Sequence, residues 1–275
     1  MAIVWNVDPD IAQIGPITIR YYGLLFALSF FLGFNIMRSI FRREDKPESG
    51  LEMLLTYMMV GTIAGARLGH CLFYDPVYYL SNPLQILKVW EGGLASHGGA
   101  IGILTALYAY TRKRPEQPYL WLLDRMIITI ALAGMFIRLG NFFNSEILGI
   151  PSDVPWAIIF DRIDSAPRHP AQIYESLAYG IIFVGLYRLY SRLGERTPNG
   201  FLFGLFLTSV FGFRFFIEFV KERQAAYGGD LPLSVGQLLS IPLVLGGIVM
   251  LVRALKNEVY VAKAGTAEDA EDAES

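Results

Sequence analysis

The chain has 275 residues, of which 53% are hydrophobic and only 17% are charged, and its mean hydropathy is +0.41. These values exclude an ordinary soluble domain, because the repeated apolar runs are long enough to cross a bilayer. The formal net charge of -2, without a dense basic stripe, excludes a nucleic-acid partner. The single cysteine, Cys71, excludes an internal disulfide, offers no metal ligand set, and is typical of a small buried side chain.

Seven apolar segments predict an all-α membrane protein, a bundle of seven transmembrane helices within residues 1–256. They lie at 21–41, 51–74, 98–110, 120–139, 171–190, 201–220 and 235–252. The third segment is shorter than the roughly 20 residues that a span requires. We therefore expect it to be tilted, to borrow residues from the preceding loop, or to be partly re-entrant.

The placement of Lys and Arg predicts the orientation of the bundle. With the N-terminus outside, every short inner connection carries at least three Lys or Arg residues. Cytoplasmic loops carry an excess of positive charge, so we expect the N-terminus outside and the C-terminus in the cytoplasm. Asp8 and Asp10 stand where a cleaved signal peptide has a basic flank, so the first helix is expected to be retained.

Two long outer connections predict small caps outside the membrane. The first, at about 75–97, contains NPLQILKVW, whose apolar side chains let a short helix lie in the membrane interface. The second, at about 149–170, contains VPWAIIF and predicts a small strand-bearing cap. Residues 257–275 are acidic and low in complexity, so they predict a disordered cytoplasmic tail.

Ionisable and amide side chains gather at the outer ends of the predicted helices. An arginine at the bilayer centre costs about 2.5–3.5 kcal/mol, so these arginines need a partner or a position near the interface. Glu218, four residues after Arg214 on the same helix face, is one candidate partner, and Glu146 is another. Such pairs either join helices or mark a functional polar cavity, and intramembrane ionisable residues favour the second. The gathered residues are Arg67, His70, His97, Arg138, Asn141, Asn144, Glu146, His169, Glu175, Arg214 and Glu218.

The stretch FIRLGNFFNSEILG, residues 136–149, is the densest part of this set. Arg138 and Asn141 stand three residues apart and share a helix face. Asn144, Glu146 and Gly149 follow where the helix is expected to end, and Gly149 suits a left-handed or tight backbone. A guanidinium beside two amides offers forked donation to a phosphate and hydrogen bonds to hydroxyl groups. The pattern suits the polar head of a phospholipid.

His97 stands directly before Gly98 and Gly99 at the start of the third helix. The uncovered backbone N–H groups and the positive end of the helix dipole can hold an anion there. The same dipole disfavours the imidazolium, which keeps the ring neutral and able to accept a proton. Gly98 and Gly102 also form a small-xxx-small pair, which permits close helix packing without any chemistry. At this point both interpretations stay open.

Four ordered motifs closely resemble those of the bacterial prolipoprotein diacylglyceryl transferases. They are HGGAIG at 97–102, RLGNFFNSEILG at 138–149, HPAQIYES at 169–176 and FRFFIEF at 213–219. The likeness covers nearly the whole chain apart from the acidic tail. It implies a multi-pass enzyme of the bacterial cytoplasmic (inner) membrane with its active site toward the outer leaflet.

The resemblance also implies a reaction and a set of site residues. The diacylglyceryl group of phosphatidylglycerol moves to the thiol of the lipobox cysteine in the signal peptide of a preprolipoprotein, the first step of bacterial lipoprotein maturation. A thioether forms and glycerol phosphate leaves, without a metal or an organic cofactor. By motif, Arg138 contacts phosphatidylglycerol, His97 and Arg214 are essential, and the residues that line the site are Tyr22, Asn141, Glu146 and Gly149.

The chemistry of sulfur alkylation suggests roles for these residues as hypotheses. A thiol of pKa about 8.5 is mostly protonated near neutrality, so either His97 or water must take its proton. Arg138 and Arg214 are the candidates to bear the phosphate charge. The binding set expected from the residue pattern also includes Asn144, Gly98, Gly99 and Glu218.

The rival class is a small-anion membrane transporter, because arginines in a helix bundle also mark permeation paths. A transporter predicts ionisable residues in both halves of the membrane and an internal inverted repeat. The sequence favours the enzyme, since the inner halves of the predicted helices are nearly uncharged apart from Asp124 and Arg125.

Overall fold

The computed structural model describes the backbone of residues 3–15, 17–223 and 232–272, and their side chains except at 17, 91 and 258–272. Eight α-helices lie in the described chain: α1 Tyr21–Arg43, α2 Leu51–Phe73, α3 Pro76–Ser81, α4 Ser96–Lys113, α5 Tyr119–Asn144, α6 Ala171–Leu193, α7 Phe201–Ile217 and α8 Val235–Asp272. Five short strands accompany them: β1 Ile3–Trp5, β2 Asp10–Ile14, β3 Ile17–Arg20, β4 Ile158–Phe160 and β5 Pro167–Arg168.

Five helices of the described chain are long and apolar enough to cross a membrane: Tyr21–Arg43, Glu48–Phe73, Tyr119–Asn144, Phe201–Val220 and Val235–Asn257. The mostly helical architecture is therefore confirmed, and it is consistent with the predicted all-α membrane protein. The other two predicted spans are also helical, and α4 is longer than its apolar segment because it extends from Ser96 to Lys113. They are not among the five. The count of seven stays a prediction.

The short strands lie outside the predicted all-α bundle, and one pair of them falls in the segment for which strands were predicted. The strands predicted at about 149–170 are present, because β4 pairs antiparallel with β5, and the position of this segment outside the membrane stays a prediction. β1 joins the same sheet from the N-terminus in parallel register, with Ile3 opposite Ile158, and β2 and β3 form a hairpin before α1. The sequence analysis did not predict these N-terminal strands, because three to five residues are too few for an alternating pattern to be distinctive.

Residues 37–123 form one compact unit, in which α2 and α4 pack through facing glycines. A Cβ atom at Gly102 would lie 2.0 Å from the Gly61 carbonyl oxygen, and one at Gly98 would lie 2.4 Å from the Gly65 oxygen. The packing interpretation is therefore correct for Gly98 and Gly102. Gly99 has more room, since its nearest neighbour would be the Ala66 Cβ atom at 3.6 Å.

The predicted cap at about 75–97 belongs to this unit and consists of short helical turns. α3 is followed by 3-10 turns at Pro83–Leu87 and Val89–Glu91. Its large apolar side chains are exposed: Val77, Leu80, Leu84, Leu87 and Trp90. The helical character of this segment is confirmed, and its exposed apolar surface is typical of a segment that lies in a membrane interface.

Residues 1–36 and 124–275 form the second compact unit. α7 packs against α6 and α8. Asp124 near the start of α5 accepts hydrogen bonds from the backbone N–H groups of Gly200, at 2.6 Å, and Phe203, at 2.8 Å. A carboxylate thus satisfies N–H groups at the first turn of α7 that have no partner within the helix.

α8 extends far beyond its apolar part. The helical backbone continues through Asp272, into the acidic segment that was expected to be a disordered tail. The segment AGTAEDAEDAES is rich in Ala and Glu, which have high helix propensity, and this composition accounts for the difference. Residues 273–275 of the predicted tail lie outside the described residues.

Candidate active site

The end of α5 turns sharply within the stretch that the sequence marks as densest in polar groups. Ser145 and Ile147, the residues on either side of Glu146, have φ angles of 56° and 58°. Left-handed backbone is unfavourable for a β-branched residue such as Ile147 and costs about 1–3 kcal/mol unless the surroundings impose it. Strained backbone of this kind is concentrated at functional sites, so the turn is a candidate part of the active site.

The turn brings the two predicted amides to one carboxylate. The side-chain amide of Asn141 donates to Glu146 Oε2 and that of Asn144 donates to Glu146 Oε1, each at 3.1 Å. Gln172 of α6 donates to the Glu146 carbonyl at 2.6 Å and so ties the turn to the next helix. Asn141, Asn144 and Glu146 therefore form one polar cluster.

Gly149 is required by a close approach of backbone segments. A Cβ atom there would lie 2.3 Å from the His169 carbonyl oxygen and 2.9 Å from that of Val220. Gly149 pairs with Lys221 in an isolated antiparallel β-bridge. Of the two conformations expected for Gly149, the structure has the tight one, and the left-handed residues of this turn are Ser145 and Ile147.

A chain of ion pairs links α5, α6 and the end of α7. Arg138 Nε lies 3.3 Å from Glu175 Oε2, and Lys221 Nζ lies 3.3 Å from Glu175 Oε1. The same Nζ lies 3.3 Å from Glu218 Oε1, which in turn is 3.9 Å from Arg214 Nε. Three cations thus share two carboxylates, and we call these five residues the ion-pair chain.

Arg214 is the loosest member of the ion-pair chain. Its Nε atom is buried and has no hydrogen-bond partner among the described residues, while its side chain is 32% exposed. A buried donor without a partner is costly, which favours a site that an external acceptor completes. Arg138 is more enclosed at 15% exposure and is also 3.4 Å from Asn141 Oδ1, which connects the ion-pair chain to the polar cluster.

Two members of the ion-pair chain are absent from the set predicted to carry the chemistry. The pairing of Arg214 with Glu218 follows from their i,i+4 spacing, but Arg138 pairs with Glu175 rather than with Glu146. Glu175 lies on another helix, and Lys221 follows a helix end, so no local spacing joins them to Arg138. The available signal was the need of a buried arginine for a counter-charge.

Tyr22 belongs to the same neighbourhood. Its ring packs on Gly140, where an added Cβ atom would lie 2.7 Å from Tyr22 Cδ2. The Tyr22 hydroxyl has electrostatic interactions with Glu146 and with Arg138. The predicted residues Tyr22, Arg138 and Glu146 therefore lie together, as expected of residues that line one site.

His97, described within its own unit, occupies the first turn of α4. The ring is exposed and contacts Phe73 edge-on at 5.3 Å and Tyr74 in a stacked arrangement at 5.9 Å between centroids. Tyr74 also stacks on His70 at 5.3 Å, so the tyrosine ring contacts both imidazoles. An exposed imidazole at a helix N-terminus is available to exchange a proton.

Backbone carbonyl groups surround the guanidinium of Arg67. Its guanidinium donates to the carbonyls of Gln85 at 2.6 Å, Ile86 at 3.0 Å and Gly92 at 2.5 Å. The guanidinium also lies 5.1 Å from the centre of the Tyr79 ring. The expectation that an anion meets each buried arginine is wrong for Arg67, because carbonyl groups of the 75–97 segment satisfy its donors.

The cap that carries β4 and β5 is fastened by a second arginine. Arg168 is 7% exposed and forms ion pairs with Glu222 and, at 2.5 Å, with Asp164. The hydrogen bonds from Arg168 hold the pKa of the Asp164 carboxyl below its usual value. His169 beside it does not cap α6 with its side chain, and its Nδ1 atom lies 3.2 Å from the Tyr174 hydroxyl.

Comparisons with known proteins agree with the family resemblance of the motifs. The family model described as prolipoprotein diacylglyceryl transferase matches residues 9–253. A phosphatidylglycerol–prolipoprotein diacylglyceryl transferase of Chloroherpeton thalassium is 55% identical over 254 residues, 92% of this chain and 95% of its own length. The protein of the same name from Tolumonas auensis is 52% identical over 256 residues, 93% of this chain and 99% of its own length. That of Bacteroides fragilis is 42% identical over 260 residues, 90% of this chain and 94% of its own length.

These matches extend over nearly the full length of the relatives, so the likeness is one of whole proteins and not of a shared segment. The family match includes the polar cluster, the ion-pair chain and His97. The chain therefore belongs to the prolipoprotein diacylglyceryl transferase family.

Proposed function

We propose that this chain transfers the diacylglyceryl group of phosphatidylglycerol to the lipobox cysteine of a preprolipoprotein. The family and the names of the relatives support this reaction. The single observation that carries the assignment to particular residues is the ion-pair chain, whose Arg214 has a buried Nε atom without a partner among the described residues. An anionic phosphate ester is the acceptor to which such a guanidinium donates best, because two of its N–H groups match two phosphate oxygens.

The reaction requires a sulfur nucleophile and a stabilised phosphate leaving group. The cysteine sulfur forms a bond to the saturated glyceryl carbon, and the bond from that carbon to the phosphate oxygen breaks. Glycerol phosphate leaves with the electron pair, and the thiol proton is taken up by a base. We assign the phosphate to Arg138 and Arg214, and the proton to His97.

The remaining site residues are assigned to the head group. Asn141, Asn144 and Glu146 offer hydrogen bonds to the hydroxyl groups of the terminal glycerol. Tyr22 and Gly149 line this part of the site, and Glu218 lies near Arg214, at 3.9 Å. The Gly98 N–H is an additional donor to an anion, whereas the Gly99 N–H already donates to the Ala95 carbonyl at 3.0 Å. No step in this scheme requires a metal or an organic cofactor.

The proposed topology follows from charge placement. We assign seven spans, α1, α2 and α4–α8, with the N-terminus outside and the C-terminus in the cytoplasm of a bacterium. α4 and α6 have 18 and 23 residues, so at about 1.5 Å per residue each is close to or above the thickness of the hydrocarbon core. The active site then faces the outer leaflet of the inner membrane, and the acidic tail is outside the catalytic domain.

One assay tests the proposal directly. Purified protein is incubated with phosphatidylglycerol labelled in its acyl chains and with a lipobox peptide, and the peptide is examined for a diacylglyceryl thioether. We expect label on the cysteine and release of glycerol phosphate in equal amount. Folded protein that transfers no label, but passes small anions across a vesicle membrane, would identify a transporter instead.

The base assignment has its own test. His97→Gln keeps the ring-sized polar side chain but cannot accept the proton, so we expect turnover at neutral pH to fall by about two orders of magnitude or more. The peptide cysteine is ionised at high pH, so raising the pH is expected to restore part of the lost rate. Near-normal turnover of His97→Gln at neutral pH would assign the proton to water.

A further inference from the structure

Lys221 is the most enclosed cation of the ion-pair chain. Its side chain is 4% exposed, and its Nζ atom lies 3.3 Å from a carboxylate oxygen of Glu175 and 3.3 Å from one of Glu218. A buried lysine is stable only when carboxylates or other acceptors surround it, and here two carboxylates do so. Its backbone is fixed as well, because it forms the β-bridge with Gly149.

Lys221 and Arg214 share one carboxylate oxygen unequally. Glu218 Oε1 is 3.3 Å from Lys221 Nζ but 3.9 Å from Arg214 Nε. The other oxygen, Oε2, accepts a hydrogen bond from the Ser234 hydroxyl at 2.8 Å, so the carboxylate is held on two sides. The lysine and the serine keep Glu218 from forming the short, forked pair that arginine and carboxylate prefer.

We propose that Lys221 is a positioning residue which keeps Glu218 away from Arg214, so that the Arg214 guanidinium stays available for the phosphate of the lipid. This inference rests on the proposed role of Arg214. Lys221 does not itself touch the substrate; it competes with Arg214 for a carboxylate that would otherwise neutralise the phosphate site.

This competition predicts that removing the charge of Lys221 alone impairs lipid binding, whereas removing the charges of Lys221 and Glu218 together does not. Lys221→Met frees Glu218 to close on Arg214, so the Michaelis constant for phosphatidylglycerol is expected to rise about tenfold while kcat changes less. In the double variant Lys221→Met/Glu218→Gln, Arg214 no longer has the carboxylate of residue 218 to pair with, so the Michaelis constant is expected to return toward the wild-type value. Lys221→Arg keeps the positive charge and is expected to behave as wild type.

The experiment measures lipid and peptide kinetics in mixed micelles for these variants and for Lys256→Met, a control at an exposed lysine of α8. Size-exclusion chromatography of each variant reports whether it is folded. If Lys221→Met does not fold, the double variant decides, because it removes both the lysine and the charge that the lysine holds. A wild-type Michaelis constant in Lys221→Met, or a double variant that is unfolded or no better than the single one, overturns the inference. An Arg214→Gln variant with an unchanged Michaelis constant would instead overturn the proposed phosphate site itself.

Discussion

At the scale of single residues, Gly149 connects the turn that follows α5 to the ion-pair chain, although it has no side chain. Its α-carbon lies where the chain after α5, the chain before α6 and the chain after α7 meet, and the bridge to Lys221 leaves no room for a Cβ atom. The position of the buried Lys221 therefore depends on the absence of a side chain at Gly149, more than 70 residues earlier in the sequence.

Gly149→Ala tests this dependence. The added methyl group would lie 2.3 Å from a carbonyl oxygen, so backbone has to shift, and we expect at least a tenfold loss of transfer activity. Gly185→Ala on α6 is the matched control, because no atom lies within 4 Å of the position that its methyl group would take. Equal activity of the two variants in the thioether assay would contradict the explanation.

At the scale of elements, the contact of α2 with α4 depends on glycine at particular positions. Gly102→Ala places a methyl group 2.0 Å from a carbonyl oxygen of α2, so we expect a destabilisation of about 1–3 kcal/mol or more. Gly99→Ala, with its nearest neighbour at 3.6 Å, is expected to keep or raise thermal stability, since alanine favours helix. Thermal unfolding in detergent compares the two, and a lower midpoint for Gly99→Ala than for Gly102→Ala would be inconsistent with this packing.

The segment that carries β4 and β5 is stabilised by an ion pair, between Arg168 and Asp164, whose strength depends on pH. Arg168 lowers the pKa of Asp164 in the folded state, so this carboxylate stabilises the cap above its unfolded pKa of about 3.9, and the contribution is lost as the pH falls through the lower folded value. Asp164→Asn is therefore expected to reduce amide protection of Ile158–Phe160 at pH 6, and this effect is expected to disappear as the pH falls through the lowered pKa of Asp164. Hydrogen exchange, corrected for intrinsic rates, measures the difference, and an effect of the same size above and below that pKa would exclude Asp164 as its source.

At the scale of the whole molecule, the number of spans decides which loops face outward. In a background of Cys71→Ser, single cysteines are introduced at the exposed positions Asp153 and Glu116. With seven spans, Asp153→Cys is expected to react with an impermeant maleimide from outside and Glu116→Cys only after permeabilisation. If only the five most apolar helices cross, both results are reversed.

Much of the helical framework and of the polar cluster could be predicted from the sequence. Apolar runs of sufficient length define helices, and Asn141, Asn144 and Glu146 are close enough in the chain for one helix end to bring them together. The partners of Arg138 and Arg67 could not be predicted, because Glu175 and the carbonyls of Gln85 and Gly92 come from distant or irregular segments. An arginine in an apolar segment predicts that acceptors lie near it, but only the tertiary packing determines which residues supply them.

The parallel pairing of β1 with β4 also constrains how the protein is made. Ile3–Trp5 is synthesised long before Ile158–Phe160, and Trp5 packs on Phe142, so the first strand has no partner while the intervening helices are being inserted. Closing a contact of such sequence separation is slow compared with local helix formation. This sheet is therefore expected to be completed late in folding. A bulky fusion at the amino terminus is expected to slow folding of the protein without changing the rate of the chemical step in the folded enzyme.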